Sequence, residues 1–260
     1  MRIRIPQVLC LSGLLAVGLA QQGQPPESPA PRAQDGGVRE VLESIVIPNI
    51  PHAPFTATLA TEWVKYAADG ATITLVNERR IARGETGRVY QERWYLVPKN
   101  GKVKSTMNWI QIADPKRLTL YNCSTEEHVC DLLVFNPRTD ISSISPHKGV
   151  SGPLPNGDGS VLWEDLGSRA IAGIDTVGTR QTTIVNSGAM GNDQPLTYVS
   201  EYWHSEALGM NLLSTRSSPF FGKQTFTITE LSVGEPDPKL FELPDGFKVN
   251  DQRKNPPISH

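Results

Sequence analysis

The chain has 260 residues and a formal net charge of −2, with 38% hydrophobic and 20% charged residues, the ordinary range of a globular protein able to bury a sizeable core. Lysine and arginine do not gather in blocks, which argues against a nucleic-acid or polyanion partner. No G-x-S-x-G turn, phosphate-binding loop or H-E-x-x-H spacing occurs, so the commonest catalytic classes have no footing.

The first residues, MRIRIPQVLCLSGLLAVGLAQQ, place Arg2 and Arg4 before an apolar run from Val8 to Leu19, then Gly18 and Ala20 before a cut at Gln21. This is the pattern of a secretory signal peptide over residues 1–20, and a run of about twelve apolar residues is short of the roughly twenty that span a bilayer. No membrane span is expected after cleavage. Gln7, Val8 and Leu9 ahead of Cys10 do not match the small-residue box of a bacterial lipoprotein.

Residues 21–37 are rich in Pro, Gln and Gly and hold no large apolar side chain, which predicts a disordered tether. Val38, Val41, Leu42 and Ile45 then fall at i, i+3, i+4 and i+7, predicting a short amphipathic helix ended by Pro48. From Phe55 the apolar period drops to two. Segments rich in Thr, Val, Ile and Trp alternate with turn signals such as Asp69-Gly70 and Asn100-Gly101, as in an antiparallel sheet. Phe55, Ala57 and Leu59 share one face of the first strand, and Tyr90, Trp94 and Leu96 one side of a later segment.

Cys123 and Cys130 are the only cysteines left in the mature chain, separated by STEEHV, and in an exported protein they predict a disulfide across a hairpin loop. The alternative is a metal site of Cys123, His128 and Cys130 with Glu126 or Glu127, which lacks a fourth strong ligand. Asn136 to Ser160 reads as a long Pro/Gly/Ser loop. Leu166 to Val185 is a glycine-marked strand pair, in which Gly173 and Gly178 meet a need for positive φ or close backbone approach. Near the end, Asp237 caps a single turn opened by Pro238, and Phe241 and Leu243 plug a sheet end.

The runs Ile171-Ala-Gly-Ile-Asp-Thr-Val-Gly-Thr-Arg180, Glu201-Tyr-Trp-His-Ser-Glu-Ala-Leu208 and Glu235-Pro-Asp-Pro-Lys-Leu-Phe-Glu-Leu-Pro244 resemble those of uncharacterised exported proteins of Gram-negative bacteria, notably acidobacteria. More distantly the chain is similar to the periplasmic lipoprotein-carrier (LolA/LolB-like) half-barrel superfamily. That resemblance implies a curved antiparallel sheet open on one side, a concave face that in the carriers holds acyl chains, and a periplasmic or secreted location. No carrier ligand residue transfers to a position of this chain.

The fold expectation is therefore mainly β: a curved antiparallel half-barrel with a short N-terminal helix and few other helices. It forms one domain over residues 38–249, with a flexible tail at 250–260. Trp63, Trp94, Trp109 and Trp203, spread one to a segment, are the candidate lining of an apolar ligand site, each equally able to serve as sheet core. The five histidines are scattered, and Glu62, Glu78, Glu92 and Glu201 are strand carboxylates that would need to converge to do acid–base work. No catalytic residue, metal or cofactor is assigned. The expected activity is non-enzymatic binding of a lipid, an acyl chain or a lipidated protein in the envelope. The alternatives are an interaction module without a pocket and, last, a hydrolase with an unrecognised carboxylate site.

Overall fold

Strict alternation makes Phe55–Tyr66 a twelve-residue strand, β1, with Phe55, Ala57, Leu59, Thr61 and Trp63 buried on one face. The computed structural model describes residues 44–137 and 149–253. The signal peptide, the tether, the first six residues of the expected helix and the last residues of the tail lie outside this range. Within it, Ser44 to Ile50 have no regular structure. Ile45 and Ile47 are buried while Val46 between them is 44% exposed, so the segment lies on the core with a period of two instead of a helical one.

The other strands are β2 (Thr72–Arg83), β3 (Val89–Trp94), β4 (Val97–Pro98), β5 (Met107–Asp114), β6 (Thr119–Ser124) and β7 (Val129–Val134) in the first half. The second half holds β8 (Gly152–Pro153), β9 (Gly159–Ile171), β10 (Ile174–Val185), β11 (Leu196–Ser205), β12 (Met210–Ser218), β13 (Gly222–Val233) and β14 (Lys248–Asp251). They form one sheet in the order β14-β7-β6-β5-β3-β2-β1-β13-β12-β11-β10-β9-β8, with β4 added to β2. Neighbours are antiparallel except β14 and β7, which run parallel. Asn250 and Asp251, in the stretch read as tail, belong to β14.

The sheet is bent around the face that carries Phe55. Phe55, Leu59, Ile81, Met210, Leu212, Phe226 and Ile228 form one cluster with Ile45, Ile47 and Leu208, and both Leu120 of β6 and the β9–β10 hairpin residues Ile171 and Ile174 pack on it. On a flat sheet β6 and β10, eight steps apart, would be separated by roughly 38 Å. Arg83 of β2 bridges the curve directly, its Nη2 donating to Leu208 O in the β11–β12 turn at 2.7 Å. This face is concave, and its apolar half is filled by the protein's own side chains.

The convex face of the first half is covered by the C-terminal segment. A 3-10 turn, Pro238–Phe241, starts where Asp237 accepts from Lys239 N at 3.0 Å. Phe241 is buried against Ala82, Tyr90, Ile110, Ile112 and the disulfide between Cys123 and Cys130, with Leu243 beside it. Those cysteines are directly opposite on β6 and β7. Bonded to each other, they leave no thiolate for the alternative metal site.

Candidate functional site

Register splits the four candidate tryptophans between the two faces. Trp63 and Trp109 stand on the concave side, Trp94 and Trp203 on the convex side. They do not line one cavity. Trp63 Nε1 donates to Phe221 O at 2.5 Å. Trp203 is buried in a packed assembly on β9, β10 and β11. Its ring covers Gly178, where a Cβ would lie 2.7 Å away, Arg169 stacks on it at 3.7 Å, and its Nε1 donates to Glu201 Oε1 at 2.8 Å. Gly178 is thus required for close approach, whereas Gly173, with φ +79, forms the β9–β10 turn with Ala172.

Trp94 lines a groove of about 530 Å3 on the convex face, together with Ala60, Val76, Val97, Thr225 and Thr227. Glu62 and Glu78 reach the same groove. Glu62 is tied to Lys99 at 2.6 Å. Glu92 accepts from Tyr90 Oη, Trp94 Nε1 and Arg80 N at 2.9, 2.8 and 3.0 Å. Glu201 is on the far half of the sheet. Its partial burial pushes the carboxyl up, but hydrogen bonds from Trp203 and Arg180 and the charges of Arg180 and Arg169 outweigh that and hold it below the usual range. The four carboxylates therefore do not gather, and Glu201 is held as an anion rather than poised as an acid. Among the described residues, no three His, Cys, Asp or Glu side chains form a group suited to a metal, and no helix is long and apolar enough to cross a membrane.

The concave face carries a second pocket of about 330 Å3 at the edge of the apolar cluster. Val46, Ile47, Val89, Ala113, Leu120 and Phe135 form apolar walls, Gln91, Arg93 and Gln111 a polar end, and Asn49 and Asn136 further polar groups of the lining. The electrostatics of that end come from where the β2–β3 ladder stops. Pairing runs Arg83–Val89, Ala82–Tyr90, Ile81–Gln91 and then ends, at the point where the next inward pair would set Arg79 opposite Arg93. Like charges directly opposite destabilise a ladder, and here the strands part. Side chains close the seam: Glu92 accepts from Arg80 N, Asn77 Nδ2 donates to Trp94 O at 2.8 Å, and Arg79 Nη1 donates to Glu92 O at 3.1 Å.

Arg79 is 5% exposed. Its hydrogen-bond partners among the described residues are all neutral: Glu92 O, Gln91 Oε1 at 3.3 Å and Ser44 Oγ. Burial and then the charge of Arg93 press it down to about 9, against the pull of Glu92. Burial lowers Arg93 as well. Arg93 Nε donates to Gln111 Oε1 at 3.1 Å, and its two Nη groups make no hydrogen bond among the described residues. Arg93 is the one arginine in the lining of the pocket, and Arg79 stands behind it, close enough for the two charges to repel. Neither arginine was among the expected site residues, although Asn77, Arg79, Ile81 and Arg83 share one strand parity.

No protein-family model and no curated protein matches the chain. Similar solved structures include the Pseudomonas aeruginosa MucA/MucB complex, at 13% identity over 76% of this chain and 58% of the matched one, with a TM-score of 0.37. Others are an uncharacterised conserved protein of Thermus thermophilus (13% identity, 78% and 92% coverage, TM-score 0.31) and the Mycobacterium tuberculosis lipoprotein LppX (11%, 70% and 87%, 0.23). The chain spans less than two thirds of the matched chain of the MucA/MucB complex. Likenesses at this level carry no assignment of family or ligand.

Proposed function

We propose that this is an exported, non-enzymatic binding protein of the Gram-negative cell envelope, which holds an acyl chain or another slender hydrophobic group, free or attached to a protein, against its concave face. The observation that carries the reading is the trough beside the core, with apolar walls from Val46, Ile47, Val89, Ala113, Leu120 and Phe135 and polar groups from Asn49, Gln91, Arg93, Gln111 and Asn136. Pockets that bind small molecules likewise combine apolar walls with polar groups that fix orientation. Its volume lies at the lower end of the range for ligand sites, room for one chain rather than several. The signal pattern at the N-terminus and the disulfide both fit an oxidising compartment.

Titration with N-phenyl-1-naphthylamine, an uncharged apolar fluorophore, tests the reading. Saturable one-site fluorescence is expected, and Leu120→Asp, which places a charge in the trough wall, abolishes it while the near-UV spectrum is retained. Absence of saturable binding, or binding indifferent to Leu120→Asp, overturns the proposal.

A second reading has one observation in its favour. Past Val161, the outer edge of β9 has no ladder partner among the described residues, and an open strand edge is a template for pairing with another chain. A polypeptide, in place of a small ligand, copurifying with the protein would favour it.

A further inference from the structure

Arg93 at the polar end of the trough and Arg79 behind it are an unusual pair. Arg79 and Arg93 face the same side on strands that would have set them opposite each other. A buried guanidinium is ordinarily matched by a carboxylate, because desolvating a charge without a counter-charge is costly. None faces this pair among the described residues. The concave positions of β5 and β6 nearest to it are Trp109, Gln111, Asn122 and Ser124. Asp131 on β7, three strands from Arg93, is held by Asn250 Nδ2 and Gln252 Nε2 at 2.9 and 2.8 Å. Glu92, adjacent in the chain to Arg93, has its carboxylate on the convex side, bound by Tyr90, Trp94 and the Arg80 amide.

We propose that the trough is selective for an anionic single-chain amphiphile, whose carboxylate or phosphate is bound by Arg93 with Arg79 behind it and whose chain lies along Val89, Ala113 and Leu120. The inference rests on the binding function proposed above and adds the charge of the ligand's head. Arg93 is the contact residue: its Nη donors, which make no hydrogen bond among the described residues, form the fork that suits a two-oxygen anion. Arg79 is a positioning residue. Its bond to Gln91 Oε1 orients one wall of the polar end, and its charge raises the local potential. The anion supplies a counter-charge that none of the described residues provides, and the apolar walls supply the chain's contact.

Calorimetric titration of the full chain with decanoate, decyl phosphate, 1-decanol and inorganic phosphate separates the possibilities. Decanoate and decyl phosphate are expected to bind about tenfold or more tighter than 1-decanol, the scale of a charge-assisted hydrogen bond. Arg93→Gln is expected to erase that ratio while leaving decanol binding in place, and Arg93→Lys to retain part of it. Arg93 is chosen because it is less buried than Arg79, so its loss spares the fold, and the ratio of charged to neutral ligand is a readout that a merely structural role would not move. Equal affinity for decanoate and decanol, or an unchanged ratio in Arg93→Gln, overturns the selectivity and leaves the binding function standing. Inorganic phosphate binding as tightly as decyl phosphate overturns it in favour of a free-anion site. Failure of all three chain ligands to bind overturns the binding function itself.

Discussion

Replacing Arg83 by methionine is expected to destabilise the protein by about 3 kcal/mol, a figure that follows from its three acceptors. Arg83 is fully buried on β2. Its Nε, Nη1 and Nη2 donate to Ala53 O, Pro48 O and Leu208 O at 2.9, 3.1 and 2.7 Å, and its guanidinium stacks on Phe55 at 5.1 Å. It therefore ties the N-terminal segment and the β11–β12 turn to the middle of the sheet. Methionine keeps much of the stem's contact with Phe55 but leaves three buried carbonyls without donors, at roughly 1–3 kcal/mol each. Against that, it relieves the cost of a buried cation, which burial holds down to about 10. The orphaned acceptors outnumber the relieved charge, so a net loss remains. Urea unfolding at neutral pH measures it as a lower midpoint with an unchanged slope. Hydrogen exchange should localise the loosening to residues 44–54. A loss below about 1 kcal/mol, or a gain in stability as seen where apolar residues replace some buried ion pairs, would refute the reasoning.

Gly178→Ala forces a methyl to within 2.7 Å of the Trp203 ring and should cost about 1–3 kcal/mol, with a shift in tryptophan emission; wild-type stability and emission would show that the indole is free to move aside. Replacing Cys123 and Cys130 together by alanine opens a loop closed across a separation of seven residues and should lower stability by about 2–3 kcal/mol by the chain-entropy relation, measured by urea unfolding under oxidising conditions. Glu201 has a folded-state pKa below its unfolded value. Its ion pair and hydrogen bonds thus contribute stability above the unfolded pKa, about 4.3, and that contribution is lost as pH falls through the folded value. Glu201→Gln should accordingly destabilise at pH 7 and approach wild type at pH 3; an equal difference at both pH values contradicts the assignment.

The strand series was legible because its signals are local. Phe55, Ala57 and Leu59 alternate strictly, Gly70 and Asn100 adopt the positive φ their turns need, the two cysteines sit either side of a hairpin, and Asp237 caps the turn opened by Pro238. The concave side was not legible, because β2 presents polar residues on both parities: Asn77, Arg79 and Arg83 inward, Glu78 and Arg80 outward. The tryptophans were recognisable as the large apolar groups of the sheet. Their division between faces depends on cross-strand register, including shifts at Arg93/Trp94 and Trp203/His204 that no local pattern announces. The Arg79–Arg93 pair is a product of register alone, since it needs β2 and β3 to be aligned before the two charges meet. Of the expected helix only the last residues are described, and there Ile45 and Ile47 are buried with Val46 exposed between them, so packing on the core sets their period in place of a helical one.

The central claim is that the concave trough holds an acyl chain or similar hydrophobic group. Native mass spectrometry of the protein purified from the cells that export it tests this most directly. The account predicts a bound small molecule with at least one alkyl chain, displaced by decanoate and absent from Leu120→Asp. A protein that is ligand-free as isolated and gains no mass with any chain ligand would contradict it.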